Sequence, residues 1–489
     1  MTLPCKSCAI WLTAILAGCA VGPNFKEPAA PSVSGYTSSP LSATSGATNV
    51  VGGEAQRFVS GQDISGDWWT LFHSKPLNAL IERSLTNNPN IKAGQATLTM
   101  ARETMLAQKG AYYPSASGSF SASRQRTSEK LAPIPNSNTF EYNLFTPEVS
   151  VSYVPDVFGL NRRTVESLNA QSEQARFALI ATHITLSANV VAAAIQEASL
   201  RAQVDATHDL IKINTDMLQV LSNQFTKGYA SRLAVAAQES QLAQMVATLA
   251  PLAKALAQQH DLLAALCGDF PSQDTNEEFE LSSLQLPQEL PVSLPSKLVE
   301  QRPDVRQAEE NLHAASAQVG IAVANRLPSF PLTANLGTMA LEAGEIFAGG
   351  AGFWTLAGSV TQPIFEGGTL MHRERAARAA YVQAAEQYRS AVLTAFQNVA
   401  DTLTALEQDG DALNAATVAR DAAKTTLDLS RQQWQSGHAG YLAVLSAEQA
   451  YNQAVINLVQ AQSNRYSDTA ALFQALGGGW WNRTELTKK

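Results

Sequence analysis

Side chains able to carry chemistry are few in this chain, and their spacing argues against catalysis. Seven histidines stand at 73, 183, 208, 260, 313, 372 and 438, with no HExxH pair and no cysteine at zinc-ligand intervals. No GxxxxGK[ST] loop, no GxGxxG opening a helix after a strand and no GxSxG elbow occurs. The acid pairs Glu277-Glu278 and Glu309-Glu310 are expected to be solvated surface, and the glycine-rich EAGEIFAGGAGF (342–353) to be a loop between two strands. His438 is expected to be an exposed bystander. Four cysteines occur, at 5, 8, 19 and 267. Three of them lie within the first nineteen residues, so no disulfide framework can be built once the N-terminus is processed. No catalytic residue, metal or dissociable cofactor is expected.

One thiol stands apart. Lys6 supplies a positive start, AIWLTAILA (9–17) an apolar run, and Leu16-Ala17-Gly18-Cys19 a small-residue cleavage site. The apolar run is too short to span a bilayer, which takes about 20 residues, so it is an export signal. The four residues ending at Cys19 resemble a bacterial lipobox, which implies cleavage before Cys19 and a covalent lipid on its sulfur. An ordinary signal peptide with a chance cysteine is the alternative. Ala20 follows rather than aspartate, and by resemblance to bacterial lipoproteins the mature chain goes to the outer membrane. Cys267 is then the remaining thiol, expected to be buried and inert. The formal charge of −8 gives no basic patch, so no nucleic-acid partner is expected.

The elements that would position any function are repeated. QFTKGYASRLAV (224–235) returns as QWQSGHAGYLAV (433–444), 209 residues later, with Gln, Gly, Ala, Leu, Ala and Val in register. NPNIKAGQATL…YYP (88–114) matches RPDVRQAEENL…RLP (302–328), PDVFG (155–159) echoes PIFEG (363–367), and LAALCG (263–268) echoes LFQALG (472–477). The chain is therefore two copies of a unit of roughly 200 residues. In each copy an Ala-rich helical stretch, 89–112 and 303–325, ends at a proline. Alternation at period two follows. Val149, Val151 and Tyr153 oppose Ser150, Ser152 and Val154, while Leu332, Ala334 and Leu336 oppose Thr333, Asn335 and Gly337. That predicts four strands of about ten residues, the length of a tilted transmembrane strand.

After Gly159 and Gly367 the period becomes that of a coiled coil. Ile184, Ala188, Val191, Ile195 and Ala198 form a heptad seam that Val392, Phe396, Val399, Leu403 and Leu406 repeat. The uninterrupted stretch Gly159–Phe225 is 67 residues, about 100 Å of helix, and a second runs over roughly 368–434. Gly228 and Gly437 are the expected stops, with return helices over 231–266 and 441–476. Four strands cannot close a membrane barrel, since single-chain bacterial barrels begin at eight. The strands are then soluble hairpins on a coiled-coil rod, or several chains pool them. A trimer pools twelve.

With these motifs in place, the chain resembles the TolC-like outer-membrane efflux factors of the NodT-type lipoprotein branch. The resemblance rests on Cys19…Gly22-Pro23-Asn24-Phe25…Pro28, Trp68-Trp69-x-Leu71-Phe72, LPSKLVEQRPDVRQAEENLHAASAQVGIAVA (294–324), QPIFEGG (362–368) and ALGGGW (475–480). It implies an α+β membrane protein, internally duplicated, with a long periplasmic α-helical barrel. Four transmembrane strands per chain would complete a twelve-stranded β-barrel in a homotrimer. It also implies an outer-membrane exit duct for an inner-membrane efflux transporter, contacted through a periplasmic adaptor and passing drugs or toxic small molecules passively. The channel of a type I protein-secretion system is a second possibility, and a pore-less periplasm-spanning coiled-coil lipoprotein a third of a different class.

On this reading residues 1–18 are the signal peptide and 19–66 a lipidated Pro/Ser/Gly-rich arm, expected to be an extended tether. Residues 67–268 are the first repeat, with strands near 115–126 and 145–154. An acidic Pro-rich equatorial linker spans 269–296. The second repeat covers 297–478, with strands near 329–338 and 353–362, and 479–489 is a tail. The resemblance makes Lys227, Gly228, Tyr229, Ala230 and Ser231, with Gly437, His438, Ala439, Gly440 and Tyr441, the adaptor-docking tips. Mere helix-ending turns are the alternative. Ala234 and Ala443 stand where the family commonly has aspartate, and Gly440 replaces a serine. Ala439 and Gly440 also occupy the neighbourhood of an aspartate ring found in some members, so a cation-binding gate of that kind is not expected.

Overall fold

The computed structural model describes residues 20–39, 43–128, 130, 141–273 and 277–487; Cys19 and the signal segment lie outside the described residues. In chain order the elements are β1 (Arg57–Ser60), α1 (Lys75–Asn87), α2 (Pro89–Lys109), β2 (Ser115–Arg126), β3 (Glu141–Tyr153), α3 (Leu160–Thr226) and α4 (Arg232–Cys267). They continue as β4 (Glu289–Val292), α5 (Pro295–Gln301), α6 (Pro303–Ala324), β5 (Leu332–Thr338), β6 (Gly352–Gly358), α7 (Thr369–Gln435), α8 (Tyr441–Ala475) and a short α9 (Thr484–Thr487). The duplication is visible in helix lengths: α3 and α7 have 67 residues each, and α4 and α8 have 36 and 35. Two compact units form. One gathers the arm up to Pro28 with Leu98–Ala175 and Ala308–Tyr388; the other holds Ala29–Thr97, Arg176–Gln307 and Arg389–Lys489.

In the first unit β2, β3, β5 and β6 form one antiparallel sheet in that order. In its central rows the register largely puts like with like. Ala116, Val151, Ala334 and Leu356 form one row, and Gly118, Val149, Leu336 and Trp354 the next. The alternate rows are Ser117, Ser150, Asn335 and Thr355, and Ser115, Ser152, Thr333 and Ala357. Because side chains alternate across a strand, one face is apolar and the other carries small polar groups. Ser150 donates to Asn335 across it at 2.8 Å. Leu336 is 65% and Trp354 76% exposed, far more apolar surface than a water-facing sheet leaves bare.

The strand β2 spans the expected 115–126, β3 is longer than expected at 13 residues, and β5 and β6 are shorter, at seven each. Pro331 has no N–H to give the ladder, so pairing breaks there. It resumes at the isolated bridge Ser329↔Thr361. Among the described residues neither outer edge, β2 nor β6, has a partner strand.

The second unit is helical, and its seam follows the heptad pattern. Ala188, Val191, Ile195 and Ala198, and Val399, Leu403 and Leu406, are buried. Equivalent positions of the two repeats do equivalent work. Asn88, before α2, donates to the Leu266 carbonyl in the last turn of α4 at 2.9 Å. Arg302, before α6, donates to the Ala475 carbonyl ending α8 at 2.8 Å. Each satisfies a carbonyl that the helix end leaves without a partner. Trp68 is fully buried and stacks on Phe473 with ring centroids 5.1 Å apart, which accounts for the tryptophan-rich motif after the arm. Cys267 is buried beside Arg83, and burial pushes its thiol above the ordinary value.

Two expectations are corrected. The arm is no free tether: β1 pairs in parallel with β4, and Thr44, Ala47, Gln56 and Ile64 are buried. Its composition cannot build a core alone, but the helices supply the groove. Arg465, wholly buried, donates to the Glu54 carbonyl at 2.6 Å and to Thr44 Oγ1 at 2.9 Å. The 269–296 segment likewise buries Phe279, Leu284 and Leu290. Nor are the acid pairs all free solvated charges, although Glu278 is exposed as expected. Glu309 is 6% exposed, Glu310 bonds His313, and Glu277 and Glu278 meet Arg83 and Arg201.

Beside Arg465, Asp409 of α7 faces Asp468 of α8. Burial, followed by the hydrogen bond and charge of Asp468, pushes Asp409 up to about 7, with Arg465 opposing. A carboxyl whose pKa is higher folded than unfolded binds a proton on folding. Its contribution is therefore complete below about pH 4 and is lost as pH rises through 7. Asp409→Asn is expected to stabilise the protein by about 1–2 kcal/mol at pH 8, with no gain at pH 4. Thermal unfolding in detergent between pH 4 and 8 measures this; a gap independent of pH counts against it.

Candidate functional site

Each repeat ends its long helix in the same way. At the α3 end, Tyr229 N–H bonds the Gln224 carbonyl at 2.8 Å and Gly228 N–H that of Phe225 at 2.9 Å. At the α7 end, His438 N–H bonds the Gln433 carbonyl at 2.8 Å and Gly437 N–H that of Trp434 at 3.0 Å. These are twin Schellman motifs, with Gly228 at φ 79° and Gly437 at φ 77°. The return helices differ at their starts. Ser231 Oγ accepts from Ala234 N–H at 3.2 Å, whereas Gly440 has no side chain to offer α8.

The ten expected tip residues do not share one environment. Lys227, Gly228, Tyr229, Ser231, Gly437, His438 and Gly440 are exposed, Tyr229 at 83%. Ala230 and Ala439 are half-buried. Tyr441 is buried, in a cluster that joins both turns: Leu221, Val235, Leu427, Val444 and Ala447. Trp434 packs edge-on against its ring at 5.5 Å. Two residues belong with the exposed rim and were not among the ten. Leu233 is 68% and Leu442 59% exposed, at matching positions of the repeat. The signal was present, since an apolar residue kept in both copies at the first turn of a helix, yet left bare, has no packing reason to be apolar.

Beneath the rim lies a polar network. Tyr441 Oη donates to Gln238 Oε1. Gln238 Nε2 donates to the Asn214 carbonyl and Oδ1, both at 2.9 Å. Gln238 and Asn214 are almost wholly buried. Arg431 pairs with the buried Glu448 at 2.8 Å. Burial, reinforced by the Glu448 carboxylate and opposed by Arg431, holds the Tyr441 phenol well above its ordinary pKa, so it stays a donor. Gln241 and Gln449, 208 residues apart, touch at 2.8 Å, so α4 and α8 meet at equivalent positions. Among the described residues no group of three or more His, Cys, Asp or Glu is placed to hold a metal ion.

A duplicated pair of 67-residue helices closed by matched turns, with a four-stranded sheet apolar on one face and polar on the other, defines a class of membrane channel. The family model described as outer membrane efflux protein matches residues 80–269 and 294–478, and the chain belongs to that family. It is similar to the toluene efflux pump outer membrane protein TtgC of Pseudomonas putida, 28% identical over 476 residues, with 96% of this chain and 94% of TtgC covered. It is also similar to the cation efflux system protein CusC of Escherichia coli, 25% identical over 480 residues, covering 98% and 99%. The solved structure of the outer membrane protein VceC from Vibrio cholerae superposes with a TM-score of 0.79 at 26% identity, covering 85% of this chain and 100% of that one. The protein is an outer-membrane efflux channel, the exit duct of an efflux pump.

Tyr441→Phe leaves Gln238 with a buried, unpaired acceptor and is expected to cost about 1–3 kcal/mol. Gly228→Val and Gly437→Val meet nothing within 4 Å, so each is expected to cost only the backbone strain of about 1–2 kcal/mol. Chemical denaturation of the detergent-solubilised protein ranks the three; a silent Tyr441→Phe would refute the network.

Proposed function

We propose that three copies of this chain close one barrel and one helical tube, anchored by lipid on Cys19, and that the paired turns are where a periplasmic adaptor docks. The unpaired edges of β2 and β6 carry this reading. In hydrocarbon an open strand edge leaves N–H and C=O groups unsatisfied at several kcal/mol each, and copies of the same sheet are the simplest partners. The duct is passive and not an enzyme; the inner-membrane transporter supplies the energy.

The cargo is a class of small organic molecules, drugs or toxic compounds. TtgC is named for toluene and CusC for cations. The polar face here offers mainly serine, threonine and asparagine, with Glu148 opposite Ser119 and Gly337, which favours uncharged organic cargo over chelated metal. The rim presents Tyr229, Leu233 and Leu442 outward, apolar side chains that an adaptor hairpin can cover.

Planar-bilayer recording of the purified protein is expected to show stepwise conductance, and ultracentrifugation in detergent a trimer; a monomer without conductance overturns the reading. Leu233→Glu with Leu442→Glu is expected to leave assembly intact while reducing adaptor crosslinking and export at least tenfold. Thr355→Trp, on a strand, should leave adaptor crosslinking unchanged. Normal crosslinking in the double variant would reduce the paired turns to helix stops.

A further inference from the structure

The polar face of the sheet continues past the last rung of the ladder. Steps of two from Asn335 and Thr355 reach the bridged pair Ser329 and Thr361, and the same steps from Ser150 reach Val154. All three therefore stay on the polar side. There they line a cavity of about 590 Å³, walled also by the ends of α2 and α6 and the start of α3. Its size is that of a small-molecule site. The wall has two characters. Phe158, Leu160 and Leu327 supply an apolar body, and Phe158 is backed by Phe330, with ring centroids 6.4 Å apart. Gln108, Asn161, Thr164 and Asn325 supply uncharged polar groups. Asn161 Oδ1 accepts from Gln108 Nε2 at 2.7 Å, whereas its buried Nδ2 has no partner. An unmet buried donor is costly, so an acceptor brought by an occupant is favoured. Among the described residues Asp156 is the one charged group in the wall, and its carboxylate is already engaged. It accepts from Asn161 N–H at 2.9 Å and Arg162 N–H at 2.8 Å. The carboxylate thus occupies the helix start that would attract an anion, and being held itself it offers little to a cation.

We propose that this cavity is a binding niche for uncharged amphiphilic organic molecules, an aromatic or aliphatic body carrying a hydrogen-bond acceptor, where the strands give way to the helices. The proposal rests on the reading of the chain as a duct for uncharged organic cargo, and it gives that cargo a place to bind. The body of the molecule leaves water against Phe158, Leu160 and Leu327. Its hydroxyl or carbonyl oxygen meets Asn161 Nδ2, which no protein group satisfies. A charged molecule loses its hydration in the same wall and finds no free counter-charge. Both repeats contribute, with α2 and α3 from the first and the end of α6 and Thr361 from the second. The niche therefore exists only where the two copies meet, and a trimer carries three of them on its lumen side.

The full-length protein in lipid nanodiscs tests this with an aryl-diazirine alcohol, photolysed at rising concentration, and with its carboxylate and quaternary-ammonium analogues. In the parent, labelling of peptides covering 108–111, 154–164 and 324–329 is expected to saturate, with half-labelling below about 1 mM. Labelling of Leu336 and Trp354 on the apolar face should instead rise linearly, as partitioning into lipid requires. The charged analogues are expected to label the niche roughly tenfold less. Ala111→Trp, which fills the cavity, should cut niche labelling roughly tenfold, and Asn161→Ala, which removes the unmet donor, about threefold. Thr355→Trp, on the polar face beyond the cavity, is the control. Displacement of the label from the parent by excess 2-phenylethanol makes the test independent of whether either variant folds. Linear labelling that 2-phenylethanol does not displace, or full labelling in a folded Ala111→Trp trimer, overturns the niche. Equal labelling by the charged analogues overturns its preference for uncharged molecules. Saturable labelling without conductance in planar bilayers sinks the duct reading and the cargo role with it, whereas conductance with unsaturable labelling sinks the niche alone.

Discussion

A strand edge that enters hydrocarbon has no water to satisfy its backbone, and most of this chain's architecture answers that single constraint. The sheet holds four strands, too few to curl into a barrel, and its outer edges find no partner among the described residues. Its two faces have nonetheless been divided with care. Its central rows are apolar on one face and mostly polar on the other, so the sheet already distinguishes a lipid side from a lumen side. A single chain is thus a finished surface on an unfinished closure, and association is the remaining way to satisfy the edges.

The helices meet a milder form of the same demand. Long helices concentrate unsatisfied groups at their ends, and here the ends are closed by local devices that the repeat uses twice. Gly228 and Gly437 turn the chain with the same pair of backbone bonds, while Asn88 and Arg302 reach the final carbonyls of the return helices. Where the copies differ, the difference is chemical. Ser231 caps its helix and Gly440 does not, while the second copy contributes a buried tyrosine whose hydroxyl ends in the other copy's Gln238. The two turns are bound into one packed body, and the exposed leucines sit on its outside.

Polar groups recruited into the interior explain the arm. Arg465 and Arg163 are nearly inaccessible, and buried guanidinium groups are costly unless their donors are met. Arm carbonyls and side chains meet several of these donors, in Thr44 and Glu54 for Arg465 and in Val21 and Asn24 for Arg163. A segment too polar to fold alone is therefore ordered in part by buried cations of the helices that donate to it.

Sequence alone determined the periodic features. Duplication, heptad seams, strand alternation and helix stops all follow from residue type at fixed spacing, and periodicity is a local property that a chain carries wherever it goes. Thus the 67-residue helix and the stop at Gly228 were legible. The family was legible too, through motifs such as QPIFEGG and ALGGGW. Tertiary structure decided what depends on a distant partner. The burial of Tyr441 could not be read locally, because the cluster that encloses it is completed by Leu221 and Val235, about one repeat away. Burial of Glu309 and pairing of β1 with β4 likewise needed contacts between segments far apart in sequence. The docked arm was hidden for the same reason. Its composition describes what it can do by itself, and its order comes from arginines that other parts of the chain bring to it.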